Sequence, residues 1–295
     1  MKTPVFLGVA TALATPFQNQ AVDYDAFDRL TDYQLDAHIP ALVVCGTTGE
    51  ASTLTADEKI NLFEHSVKYV SGRAKIIAGI GTNDTSKSVV LAKLAEQCGV
   101  DALLAVTPYY NKCTQDGLIS HYSAISDATE LPLIVYNVPS RTGLNLLPET
   151  WAQLSAYPNI VGLKEASGNM SQIAKSIYKS ANGAVIWSGN DDQIVPVMSL
   201  GGKGVISVLS NIRPRAVQKM VQLCLSGNYP EAAKLQLHYL PLMEALFSEV
   251  NPIPVKAALA RMKICSEESR LPLTIMNKEK REKLFTVLHE FPDLI

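Results

Sequence analysis

The chain has 295 residues, 47% of them hydrophobic and 18% charged, with a formal net charge of −2. That length suits one or two domains, and the near-neutral, interspersed charge excludes a basic footprint for nucleic acid or an anionic membrane. An ordinary soluble domain carries roughly 25% charged residues, so the shortage points to surface buried between subunits.

At the N-terminus, Lys2 and the run Val5–Ala14 faintly imitate a secretory signal, but Gly8, Thr11 and Thr15-Pro16 interrupt it. It reads as a first strand. No apolar run approaches the roughly 18 residues that a membrane span needs. Eight runs have the length and flanking residues of buried strands: Leu7–Leu13, Ala41–Cys45, Lys75–Ile80, Ala102–Val106, Leu133–Val138, Ile160–Lys164, Ala184–Trp187 and Gly204–Val208.

Helix-period segments alternate with these runs. Asp25–Leu35 repeats apolar residues at three-to-four spacing, and Thr55-Ala56-Asp57-Glu58 is a capping box ahead of Ile60, Leu62 and Phe63. Asp84 can cap a helix that stops at Gly99. Gly117–Ala128, Pro148–Leu154, Met170–Tyr178, Ile194–Leu200 and Pro214–Leu225 complete eight strand–helix alternations. Eight such units most simply close into a (β/α)8 TIM barrel, expected over residues 1–227. An open doubly wound sheet is the runner-up, but no G-x-G-x-x-G follows the first strand. Beyond Leu225, Tyr229–Phe247, Pro254–Met262 and Lys278–Leu288 read as helices of a C-terminal appendage over residues 228–295, with Pro241 a flaw in the first.

The five cysteines are scattered, with no C-x-x-C pair. They fit reduced thiols in a cytoplasmic protein better than a disulfide frame or a metal site.

In a barrel, chemistry gathers at the C-terminal ends of the strands. The second run is followed by Gly46-Thr47-Thr48-Gly49-Glu50, a turn able to aim donors at an anion, or an ordinary flexible turn. The fourth is followed by Thr107-Pro108-Tyr109-Tyr110-Asn111, whose tyrosines equally suit packing. The fifth is followed by Tyr136-Asn137-Val138-Pro139-Ser140-Arg141-Thr142-Gly143. A strand-end tyrosine suits proton handling, and a loop arginine suits either carboxylate capture or solvent. The seventh closes on Ser188-Gly189-Asn190-Asp191.

The sixth run, Ile160-Val161-Gly162-Leu163-Lys164, ends in a lysine. Strand alternation puts Ile160, Gly162 and Lys164 on one face, with Gly162 leaving room beside the amine. An amine kept in apolar surroundings has a lowered pKa and can attack a carbonyl to form a Schiff base. On this segment alone the commoner role is an ammonium in water or paired with Glu165.

Taken together and in order, these residues resemble the dihydrodipicolinate synthase branch of the pyruvate-dependent lyase/synthase family of class I aldolases. The match runs from Ala14-Thr15-Pro16-Phe17 through the turns above to Gly189 and Asn251–Lys256. The resemblance implies that Lys164 is the Schiff-base lysine for pyruvate. Tyr136, Thr47 and Tyr110 then form its proton relay, Tyr110 reaching in from a neighbouring subunit. It implies Thr48, Ile206 and Gly189 as substrate contacts, and Arg141 for the carboxylate of the second substrate, L-aspartate-4-semialdehyde. It also implies no metal, no cofactor beyond the covalent imine, and a homotetramer of two tight dimers. N-acetylneuraminate lyases resemble the rest but generally lack the arginine; a non-catalytic keto-acid-binding scaffold is the alternative of another class. Lysine-inhibited relatives use an acid and histidines where this chain has Lys87, Ala56 and Lys59, although Asn83 and Tyr109 are retained. The chain is therefore expected to be insensitive to L-lysine.

Overall fold

The computed structural model describes residues 2–293. The chain enters at β1 (Gly8–Ala12), makes a small antiparallel hairpin of β2 (Phe17–Gln18) and β3 (Ala21–Val22), and continues into α1 (Tyr24–Asp36). Strands and helices then alternate as β4 (Ala41–Val44), α2 (Ala56–Val70), β5 (Lys75–Gly79), α3 (Thr85–Gln97), β6 (Ala102–Val106) and α4 (Gln115–Ser126). After β7 (Leu133–Asn137) come a single turn, α5 (Pro139–Thr142), and α6 (Pro148–Leu154). The series ends with β8 (Ile160–Glu165), α7 (Met170–Lys179), β9 (Val185–Ser188), α8 (Ile194–Ser199), β10 (Gly204–Ser207) and α9 (Pro214–Leu225). Strands β1 and β4 to β10 close a parallel barrel, in the order β1-β10-β9-β8-β7-β6-β5-β4. Each of the eight apolar runs is one of its strands.

Local chemistry explains where the helices begin. The capping box at α2 is formed in both directions between Thr55 and Glu58. Asp23, Asp84, Thr114 and Asn169 cap α1, α3, α4 and α7 through side-chain oxygens that accept backbone N–H groups. The hairpin and α5 were not legible as elements, because two-residue strands and one helical turn carry no period. Arg141 accordingly lies on a helical turn instead of a loop.

Two apolar layers result. One fills the barrel with small and branched side chains, including Ala10, Val43, Ile77, Ile134 and Ile206; the other joins the strands to the surrounding helices. Strand β8 departs from simple alternation. Its register with β7 shifts, pairing Leu133 with Ile160 and then Ile134 with Gly162, which leaves Val161 as an extra residue. Across this bulge Ile160 joins Leu163 in the outer layer, whereas Val161 packs inside the barrel. The expected shared face of Ile160, Gly162 and Lys164 is thus corrected for Ile160.

The room at Gly162 is also already filled. A Cβ there would lie 2.3 Å from Trp187 Cζ3 and 2.8 Å from the Val185 carbonyl oxygen. The Trp187 indole is fully buried, stacks on Phe6 at 4.7 Å and lies in the barrel interior against Gly162.

Three further helices follow: α10 (Tyr229–Ala245), α11 (Ile253–Arg261) and α12 (Lys278–Glu290). Helix α10 tolerates Pro241 internally and packs on α9, α8 and α12. The expected division at residues 227 and 228 falls in the turn between α9 and α10, and residues 294–295 of the expected appendage lie outside the described region. Among the described residues no helix is long and apolar enough to cross a membrane.

Because a Gly162 side chain must displace the indole or the strand backbone, Gly162→Ala is expected to cost about 1–3 kcal/mol. Urea denaturation measures this; an unchanged midpoint would show that the Trp187 layer yields freely.

Candidate active site

The candidate residues come from different strands and meet at one end of the barrel, the C-terminal rim. Lys164 is the fifth residue of β8, paired laterally with Tyr136 on β7 and Trp187 on β9. It is 5% exposed, and its Nζ lies 4.2 Å from the centroid of the Tyr136 ring. Burial disfavours the ammonium, and although Asp191 favours it, the amine is pushed down to about 7. The nearby Arg141 charge acts in the same direction as burial. Gly189 allows the lysine to pass: a Cβ there would stand 3.2 Å from Lys164 Cε and 2.6 Å from Ala166 Cβ. Its N–H donates to the Glu165 carbonyl at 2.7 Å, holding this approach.

Glu165, the neighbour offered as a partner for Lys164, is turned elsewhere. Its carboxylate accepts from Asn137 Nδ2 at 3.2 and 3.1 Å and from the Ser167 N–H at 2.7 Å. Desolvation, not a salt bridge, therefore dominates the lysine's environment.

Tyr136 is 6% exposed, and burial raises its phenol, opposed by the Arg141 charge and by hydrogen bonding from Thr47. At neutral pH it stays protonated and can pass a proton along hydrogen bonds. A cavity of about 670 Å³ joins Thr47, Thr48, Tyr136, Arg141, Lys164 and Gly189. Six of the eight residues expected from sequence thus line one space. Ile206 does not line it; this residue is buried in the barrel interior, in the same apolar cluster as Tyr136 and Trp187. Tyr110 stands apart as well. It is 90% exposed, and its backbone is held at φ +71°, a region costly for a bulky residue.

The turn carrying the threonines is anchored, not flexible. Glu50 at its end forms a fully buried pair with Lys256 of α11, 2.6 Å apart, and its other oxygen accepts the Arg270 N–H at 3.1 Å. The Lys256 ammonium and the Arg270 guanidinium both lie over the Phe17 ring, at 4.3 and 4.4 Å. Thr15 Oγ1 donates to the Gly49 carbonyl at 2.7 Å.

Two further residues reach the rim without having been singled out from sequence. Asn251, placed by sequence within the matching stretch Asn251–Lys256 but given no role, donates from Nδ2 to Thr48 Oγ1 at 3.0 Å and accepts Arg141 Nη2 on its carbonyl at 3.1 Å. Asp191 is buried after β9, with Oδ2 accepting the N–H groups of Val208 at 3.0 Å and Leu209 at 2.8 Å. Its Oδ1 has no hydrogen-bond partner among the described residues. The acid directly after Gly189-Asn190 was the available signal.

A closed parallel barrel with polar groups converging on its C-terminal rim defines an α/β-barrel enzyme. Within that class, the chain belongs to the dihydrodipicolinate synthetase family, whose model it matches over residues 5–291. A 4-hydroxy-tetrahydrodipicolinate synthase of Caldicellulosiruptor saccharolyticus is 50% identical over 289 residues, covering 98% of each chain. The crystal structure of a Thermotoga maritima dihydrodipicolinate synthase superposes with a TM-score of 0.96 at 44% identity, covering 97% of this chain and 99% of that one. A second structure, described as the first monomeric dihydrodipicolinate synthase variant, gives a TM-score of 0.95 at 44% identity, covering 97% of both chains.

The lowered amine has a direct consequence. Chemical modification of Lys164 by a small amine-directed reagent, followed peptide by peptide, should be half-maximal near pH 7, where surface lysines remain protonated. Half-maximal modification near pH 10 would place the ammonium in water.

Proposed function

We propose that the chain condenses pyruvate with L-aspartate-4-semialdehyde to 4-hydroxy-tetrahydrodipicolinate through a Schiff base on Lys164. The observation that carries this reading is a buried amine with its Nζ 4.2 Å from the ring of a buried tyrosine, where burial lowers its pKa to about 7. The names of the relatives support the same reaction.

The neutral Lys164 amine attacks the keto carbon of pyruvate, and the carbinolamine loses water as a proton arrives through Tyr136 and Thr47. The resulting protonated imine draws electrons from the methyl group, which gives up a proton to form an enamine. The enamine carbon bonds to the aldehyde carbon, whose oxygen takes a proton. The amine of the second substrate then attacks the imine carbon, displaces Lys164 and closes the ring. The covalent imine supplies the electron sink, so no step calls on a metal or an organic cofactor. Thr48, held by Asn251, binds the pyruvate carboxylate, with Gly189 leaving room beside the lysine. Ile206 shapes the apolar floor from within the barrel.

Arg141 is oriented by the Asn251 carbonyl and has no carboxylate within ion-pair distance among the described residues. That leaves its guanidinium for the carboxylate of the semialdehyde. Pyruvate with aspartate semialdehyde should turn over in a coupled assay, and pyruvate with N-acetylmannosamine should not. Arg141→Ala should raise KM for the semialdehyde at least tenfold more than KM for pyruvate; equal rises would remove the arginine from this role.

We assign the exposed, strained Tyr110 to the relay of a neighbouring subunit, within a homotetramer of two tight dimers. Mixed Lys164→Ala and Tyr110→Phe subunits, each inactive alone, should then recover activity after verified exchange. No recovery would return Tyr110 to its own subunit. The five unpaired thiols suit a cytoplasmic setting.

Feedback by L-lysine is not expected. Lys87 is exposed beside Asp84 at 3.9 Å, and Glu50, the acid that could have replaced the missing one, is consumed by Lys256 and the Arg270 N–H. A cationic effector meets cations instead, and at about 4 Å that exchange outweighs one or two hydrogen bonds of about 1 kcal/mol. Initial rates should stay flat as lysine rises to millimolar concentration; saturable inhibition would contradict this.

A further inference from the structure

The cavity in front of Lys164 carries two cations and a single acid on its walls. Lys164 and Arg141 supply the positive charges, and Glu249, in the segment between α10 and α11, is the only carboxylate among the described lining residues.

Glu249 is held lightly. Its Oε1 accepts the Asn277 N–H at 3.3 Å and lies 3.7 Å from the Lys280 ammonium, which donates instead to the Ser248 carbonyl at 3.0 Å. Its Oε2 has neither a hydrogen-bond nor an ion-pair partner among the described residues. The side chain is 17% exposed, so an uncommitted carboxylate oxygen stands largely withdrawn from water at the mouth of the cavity. The other acids near the rim are spoken for: Glu50 by Lys256 and the Arg270 N–H, Glu165 by Asn137 and the Ser167 N–H.

One short segment ties this acid to the arginine. The Asn251 carbonyl accepts Arg141 Nη2 at 3.1 Å, and Asn251 follows Glu249 by two residues, within about 7 Å along an extended backbone. An uncommitted carboxylate and an unpaired guanidinium thus share one wall.

Under the condensation proposed above, pyruvate bound as a protonated imine is neutral overall, because its carboxylate balances the imine nitrogen. The second substrate then arrives with a carboxylate and an ammonium on the same carbon. Arg141 accounts for the carboxylate. Without an acid to meet it, the ammonium would be desolvated beside two fixed cations, which is costly.

We propose that Glu249 receives the ammonium of L-aspartate-4-semialdehyde on Oε2, acting with Arg141 to select an α-amino-acid aldehyde over one that lacks the amine. This contact rests on the proposed condensation and adds a specificity-determining residue to it.

Initial rates are measured with pyruvate and L-aspartate-4-semialdehyde. Succinate semialdehyde, which keeps the aldehyde and the carboxylate but has no amine, is titrated as a competitor. In Glu249→Gln, KM for the amino substrate should rise about tenfold or more, as for a lost hydrogen bond between charged groups, while Ki for succinate semialdehyde and KM for pyruvate stay within about twofold. The retained pyruvate KM also shows that the variant folds. Lys280→Met, which removes the acid's cationic neighbour, should leave all three values unchanged. Equal rises in KM for the amino substrate and Ki for the competitor, or no rise in either, would overturn the contact. In the wild type itself, Ki for succinate semialdehyde should exceed KM for the amino substrate by about tenfold. Equal values there would overturn the contact whether or not any variant folds. A wild type without turnover would overturn the condensation and this contact together, whereas turnover that is indifferent to Glu249→Gln would overturn the contact alone.

Discussion

The desolvation of one amine is the constraint around which the rest of the molecule is arranged. An ammonium in a barrel interior loses its hydration, and among the described residues no carboxylate in direct contact restores it. Trp187, stacked on Phe6, fills the barrel interior against Gly162, and β7 and β9 flank the lysine. Glu165, the nearest acid in sequence, is drawn away by Asn137 and the Ser167 N–H. What remains is an amine reactive near neutrality, with a protonated phenol beside it and an open cavity in front.

The C-terminal helices are tied to this chemistry by interactions that cross the whole sequence. Glu50 and Lys256 are 206 positions apart, yet form a pair with neither side chain more than 1% exposed. Removing one partner of such a pair typically costs about 3–5 kcal/mol, because the other charge is stranded. Here the loss would fall on the turn that carries Thr47 and Thr48. Asn251 makes a second tie, touching Thr48 with its side chain and Arg141 with its carbonyl. The two groups we assign to different substrates are thus positioned by one residue from outside the barrel strands.

Much of this was legible in the sequence, for definite reasons. Buried strands of a parallel barrel are short apolar runs, and the caps at Thr55 and Asp84 are local chemistry, so element order and fold class followed. The residues of the rim fell at strand ends, and resemblance to a family gave them roles that composition alone could not. What could not be read depends on a neighbour distant in sequence. The bulge at Val161 is set by the register with β7, and the space beside Gly162 is taken by an indole from β9. Asp191 and Asn251 look ordinary until folding brings them to the rim.

We assign Lys164 as the amine that becomes covalently bound to pyruvate. Incubation with pyruvate, reduction with borohydride and peptide mass spectrometry measure this directly. One reduced pyruvate adduct per chain is expected, on the peptide carrying Lys164 and absent from Lys164→Ala. No adduct, or an adduct on another lysine, would contradict it.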